Sequence, residues 1–231
     1  MIYIVTQRDP FFTDSFLYTF KKMGYEFTVL NTPNFNGGFF AGTKKALKLY
    51  RPFGFIKLLI VGLYLKFYRI FIKIPVIDFA DIQKVNSFLS NALPSDVILS
   101  LSAPARIAVE NIHPECLKVN IHCGELPKYA GMMPIFWQLY NNEQNITITF
   151  HHMSMNIDTG SVISKISLPA EGTLFEISIK AKIVSAQHFA EILSQQKNEP
   201  IINRNLPTPS KLSKFPDSSH IFSLRKKRKL I

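Results

Sequence analysis

Cysteine is scarce: Cys116 and Cys123 are the only two in 231 residues. Neither has His or Cys neighbours at zinc-ligand spacing, so a disulfide framework is excluded and a reducing, cytoplasmic home is expected. Cys123 could serve as a nucleophilic thiolate, yet no activating pattern separates it from a small buried residue. The turn after the first strand, TQRDPFFT, lacks Gly-x-Gly-x-x-Gly, and no glycine loop is followed by a Walker-type Lys. Nicotinamide and ATP chemistry therefore have no support. The opening MIYIVTQ reads as a strand, without the charged start and apolar stretch of a leader. A long apolar run free of charge is also missing. Phe53 to Ile74 could span a bilayer by length, but Lys57, Lys66, Arg69 and Lys73 interrupt it, and charge at a helix centre is costly there. Lys66, Arg69 and Lys73 share one helical face with Lys57 nearly opposite, which describes an amphipathic helix with a broad apolar side. Burial in the fold or in a homodimer, contact with a membrane surface, and spanning remain as its readings.

What is present is globular composition, with 47% hydrophobic residues, 19% charged, and twenty Phe to fill a core. The formal charge of +11 points to anionic partners: nucleic acid, a phosphate-bearing small substrate, or an anionic membrane surface. Five of the last seven residues, Arg225 to Lys229, are basic. Such a run reads as a solvated tail, and removing Ser218 to Ile231 is expected to leave folding and chemistry largely unchanged.

Periodicity predicts a strand over Ile2 to Thr6, a helix over Thr13 to Met23 stopped at Gly24, and a strand near Phe27 to Leu30. A glycine-rich loop, Asn34 to Gly42, precedes a basic helix from Lys44 and the apolar segment above. Further strands are expected at Pro75 to Phe79, Asp96 to Leu101, Leu117 to Ile121, Asn145 to His152 and Ser161 to Leu168. Helices are expected at Ile82 to Asn91, Pro104 to Asn111, Pro134 to Tyr140 and Thr173 to Gln195. Alternation of strands and helices predicts an α/β fold, a mostly parallel sheet covered on both faces. Beyond Lys197 the prolines multiply, so residues 1–196 are taken as one catalytic domain and 197–231 as a short basic C-terminal extension.

Val119 to Gly131 reads VNIHCGELPKYAG, and Met155 to Gly160 reads MNIDTG. Residues two apart on a strand point the same way, so Asn120 and His122 can converge on one atom at a strand's carboxyl end, where ligands of open parallel sheets sit. Alone, such a pair could merely satisfy backbone groups. Asp158, in the turn after the next apolar strand, supplies a carboxylate that can orient an imidazole or take a proton. His151 and His152 invite a metal reading, but neighbours on a strand face opposite ways, and no metal is expected.

The order Asn-x-His, Leu-Pro-x-x-x-Gly, a strand with Thr-x-x-His, then Asp-x-Gly resembles the folate-dependent formyltransferases. Asn120, His122, Leu126, Pro127, Gly131, His151, Asp158 and Gly160 stand in those places. The resemblance implies a Rossmann-like formyltransferase fold, 10-formyltetrahydrofolate as cosubstrate, and Asn120, His122 and Asp158 as the catalytic triad. Asn120 and His122 would stabilise charge on the formyl oxygen and Asp158 would help deprotonate the attacking amine. It places the donor against Ser102, Ala103, Pro104, Ile157 and Gly160, and the acceptor against Gly124, Lys128, Tyr129 and Gly131. Two departures affect loop contacts: Cys123-Gly124 replaces the usual Pro-Ser, and Ala130 replaces the common Arg.

Among acceptors, glycinamide ribonucleotide is disfavoured because the first turn is not the glycine- and serine-rich phosphate turn of its formyltransferases. Methionyl-tRNA is disfavoured because about thirty-five residues after the last expected helix are too few for a tRNA-gripping barrel, and no aromatic interleaves Arg225 to Lys229. A nucleotide-linked amino sugar, as in precursors of cell-surface polysaccharides such as lipopolysaccharide O-antigen, remains. No nucleic-acid partner is expected. The alternatives are a methionyl-tRNA formyltransferase-like enzyme and a non-catalytic scaffold at a membrane surface on the same fold.

Overall fold

Short apolar runs bounded by turn residues set the strands. In chain order the elements are β1 (Ile2–Thr6), α1 (Thr13–Lys22), β2 (Thr28–Asn31), β3 (Val76–Asp78), α2 (Ile82–Leu89), β4 (Val97–Leu101), β5 (Leu117–His122), α3 (Pro134–Tyr140), β6 (Asn145–His152), β7 (Val162–Pro169), α4 (Leu174–Gln195) and α5 (Ser218–Lys227). The computed structural model describes residues 1–7, 11–32, 73–103, 106–195, 206–207, 209 and 211–227. The expected loop at Asn34 to Gly42, the helix from Lys44 and most of Phe53 to Ile74 lie outside the described residues, as does Pro104. Among the described residues no helix is long and apolar enough to cross a membrane.

Local chemistry explains the helix ends. Asp81 caps α2 by accepting a hydrogen bond from the Lys84 N–H at 2.9 Å, and Gly24, with φ of 88°, supplies the left-handed residue that stops α1. The expected helix over Pro104 to Asn111 shrinks to a single 3₁₀ turn at Val109–Asn111. Ala108 leaves the helical region with ψ of 76°, and its N–H donates to the Asn86 side chain at 3.0 Å instead of to a helical carbonyl.

The sheet order is β3-β2-β1-β4-β5-β6-β7, parallel from β3 through β5 and antiparallel for β6 and β7. One face packs Phe16, Phe20, Phe136, Phe150 and Phe189 with α1, α3 and α4; the other packs Val85 and Leu89 of α2 against Val5 and Ile98. Each fully buried Phe contributes roughly 1.5–3 kcal/mol of transfer free energy, so Phe16, Phe20, Phe27, Phe136, Phe150 and Phe189 are a substantial share of the driving force. Strand order reverses between β1 and β4, and a crevice opens there at the carboxyl ends of the strands. Register then sets the chemistry: Ser100 on β4 pairs with Asn120 on β5, and Asn120 pairs with His151 on β6.

Candidate active site

The crevice is a cavity of about 680 Å³. Asn120, His122, His151 and Asp158 all line it, together with Ser100, Ser102, Ala103, Ile107, Met133 and Ile157. The three residues singled out in the sequence thus meet in one cavity. They do so because Asn120 and His122 share a side of β5 and the turn after β6 folds back over them.

Asn120 and His151 are directly opposed across antiparallel strands, and Asn120 Nδ2 lies 2.9 Å from His151 Nε2. His151 Nδ1 lies 2.8 Å from the His152 carbonyl, which can only accept, so Nδ1 carries the proton. Burial pushes the His151 imidazole down to about 4, which keeps it neutral and leaves Nε2 as an acceptor for the Asn120 amide. That bond fixes the amide's rotation and leaves its second N–H to donate into the site.

His122 is buried, with Nε2 2.8 Å from the Tyr129 carbonyl and Nδ1 3.5 Å from Asp158 Oδ1. Nε2 therefore donates to Tyr129, and Nδ1 faces the Asp158 carboxylate. Asp158 is buried too, sits 3.8 Å from His151 Nε2, and accepts from the Gly131 N–H at 2.9 Å through Oδ2. Its φ of 58° is left-handed, as are those of Ser102 (57°) and Met133 (55°), so three strained residues line the same cavity.

The expected ligand contacts divide. Ser102, Ala103, Ile157 and Gly131 line the cavity, whereas Gly124, Lys128, Tyr129 and Gly160 do not. Lys128 Nζ and the Tyr129 hydroxyl both turn to Glu143 Oε1, at 2.7 and 2.6 Å, so these two side chains serve a surface cluster. Gly124 is glycine for space: a Cβ there would lie 2.6 Å from Pro134 Cβ and 2.9 Å from His122 Nε2. Gly160 likewise allows a close strand approach, since its Cβ would fall 1.7 Å from the His152 carbonyl oxygen.

Three features escaped the sequence reading. His151 was visible in the motif, but its role as orienter of Asn120 depends on the β5–β6 register. Lys182 reaches the cavity from α4 with Leu174 and Ser178, a spacing of four that could have flagged a lysine on an inward face. The third is the segment before α5. Ser213 pairs with the loop at Gly131, accepting from the Met132 N–H at 2.9 Å and donating to the Ala130 carbonyl at 2.8 Å, and Leu212 to Phe215 form part of the cavity wall.

No family model matches the chain. Over 139 residues, 58% of its length, it is 32% identical to the bifunctional polymyxin resistance protein ArnA of Wigglesworthia glossinidia brevipalpis, covering 19% of that protein. A shorter match, 40% identical over 55 residues, is to the methionyl-tRNA formyltransferase of Latilactobacillus sakei, covering 24% of this chain and 17% of that one. The matched stretch thus spans less than a fifth of either relative. WlaRD, a sugar 3N-formyltransferase crystallised in the presence of dTDP and 5-N-formyl-THF, superposes with a TM-score of 0.55 at 17% identity, over 94% of this chain and 69% of its own. Solved phosphoribosylglycinamide formyltransferases superpose as well.

Proposed function

From the premise that the chain has the formyltransferase fold, we propose that it is an N-formyltransferase moving a formyl group from 10-formyltetrahydrofolate to the amine of a nucleotide-linked amino sugar. The carrying observation is the convergence of Asn120, His122 and Asp158 in one cavity at the carboxyl edge of the sheet. The cavity suits such a donor: Ala103, Ile107, Val109 and Ile157 offer apolar walls for a flat ring, beside polar groups at one end. When bound, 10-formyltetrahydrofolate supplies an activated formyl carbon.

The chain's own residues then divide the work. Asn120, its rotation locked by His151, donates its second N–H to the formyl oxygen as negative charge develops there. Asp158, anchored by Gly131 and neighbouring His122, takes the proton that the attacking amine must shed. His122, its Nε2–H given to the Tyr129 carbonyl and so not to the formyl oxygen as the resemblance implied, keeps its ring beside the Asp158 carboxylate that takes the proton. Work on precursors of surface polysaccharide in the cytoplasm follows as the setting for a nucleotide-sugar acceptor.

The acceptor is tested by incubating the purified chain with 10-formyltetrahydrofolate and a panel of nucleotide-linked amino sugars, methionyl-tRNA and glycinamide ribonucleotide. Mass spectrometry should find one added formyl group on a nucleotide sugar and none on the other two. The free amino sugar should react far more slowly at equal concentration, because nucleotide and diphosphate supply binding energy remote from the reacting amine. A higher kcat/KM with methionyl-tRNA would overturn this acceptor assignment.

A further inference from the structure

α5 has one face turned in and one turned out. Ile221 and Leu224 are buried in the core and fix the helix's rotation. That rotation leaves Phe222 62% exposed, with Lys226 four residues further along the same face and its Nζ 4.7 Å from the centre of the Phe222 ring. Arg225 and Lys227 flank the pair and are exposed as well. A single exposed ring is ordinary on a protein surface. This one stands among cations: residues 218–231 contain five Lys or Arg and no Asp or Glu.

The neighbouring acids are already engaged. Asp217, at the start of α5, accepts from the N–H groups of Ser219 and His220. Glu143 adjoins the Asn142 that Lys227 reaches at 3.5 Å, and it is held by Lys128 at 2.7 Å and by the Tyr129 hydroxyl at 2.6 Å. The outward face therefore presents an apolar ring beneath a cation, and the sequence continues basic through Arg228 and Lys229. Such a face matches the boundary of an anionic bilayer, where a ring enters between headgroups while lysine stems lie along apolar surface and their ammonium groups reach the phosphates. It matches nucleic acid less well, since the ammonium over Phe222 occupies a ring face on which a base would stack.

We propose that the outward face of α5, with Phe222 and Lys226 at its centre, is a docking surface for an anionic lipid bilayer. Binding there is weak, reversible and salt-sensitive, because one ring and a handful of cations fall far short of an inserted anchor. Phe222, Arg225 and Lys226 do not line the cavity that holds Asn120, His122 and Asp158, and the inference does not depend on the acceptor.

The test is co-sedimentation of the full chain with vesicles of phosphatidylcholine mixed with phosphatidylglycerol and with vesicles of phosphatidylcholine alone, beside binding to a single-stranded RNA oligonucleotide, for wild type, Phe222→Ser and Lys226→Ala. Both positions are exposed, so circular dichroism and melting of the variants should match wild type. Wild type should sediment with the anionic vesicles, not with the neutral ones, and be released by high salt. Phe222→Ser should weaken that partition about tenfold and Lys226→Ala about fivefold. The proposal is overturned by wild type that ignores anionic vesicles, by Phe222→Ser partitioning as well as wild type, or by RNA binding that is tighter than vesicle binding and weakened by the same two changes.

Discussion

At the scale of single residues, His151 links stability to the site. Its folded-state value of about 4 lies below the ordinary 6.5 because burial penalises the charged ring. Between those values the unfolded chain takes up a proton that the folded chain refuses. Its stabilising share is thus complete above about pH 6.5 and is lost as pH falls toward 4. Urea midpoints of wild type should drop over that window more steeply than those of His151→Gln; parallel curves would show that the ring titrates normally. The meeting of Asn120, His122 and Asp158 in one cluster was legible because its spacing is local to two short stretches around Asn120 and Asp158. What orients it was not: the lock of His151 on Asn120 and the Gly131 N–H on Asp158 depend on strand register and loop return, which no short window encodes.

At the scale of elements, α5 departs most from expectation. The sequence reading treated Ser218 onward as solvated charge, but Ile221 and Leu224 are buried in the main core and His220 packs on Trp137 and Tyr140. The basic residues dominate the composition, while the apolar pair three apart is too small a periodic signal to stand out. A start signal was present: Asp217 accepts from the N–H groups of Ser219 and His220 at 2.9 and 3.0 Å. α5 follows directly on the stretch whose Ser213 pairs with the loop at Gly131, whose N–H holds Asp158, so removing Ser218 to Ile231 should loosen the site as well as the fold. Leu224→Ala should cost about 2–5 kcal/mol in chemical denaturation, with exposed Lys226→Ala as a neutral control. A Leu224→Ala protein as stable as wild type would return the segment to the status of a tail. Most other elements were legible, several to the residue, because the strands are short apolar runs and the helices strongly periodic; α3 and β6 have the bounds expected from the sequence.

At the scale of the whole molecule, the site is an assembly. β5 brings Asn120 and His122, β6 brings His151, the following turn brings Asp158, and the segment from Leu212 to Phe215 closes a wall. An open sheet with its order reversing between β1 and β4 places all of these at one edge, which is why a resemblance carried by fewer than a dozen residues extended to the fold of most of the chain. Residues that act as one unit should also fail as one unit. The most direct measurement is the rate of formyl transfer to a nucleotide-linked amino sugar by Asn120→Ala, His122→Ala, Asp158→Ala and the triple variant, each first shown to be folded. The account predicts that each single change lowers turnover by roughly two orders of magnitude or more, with the triple little worse than the worst single. Near-normal turnover in folded His122→Ala or Asp158→Ala would contradict it.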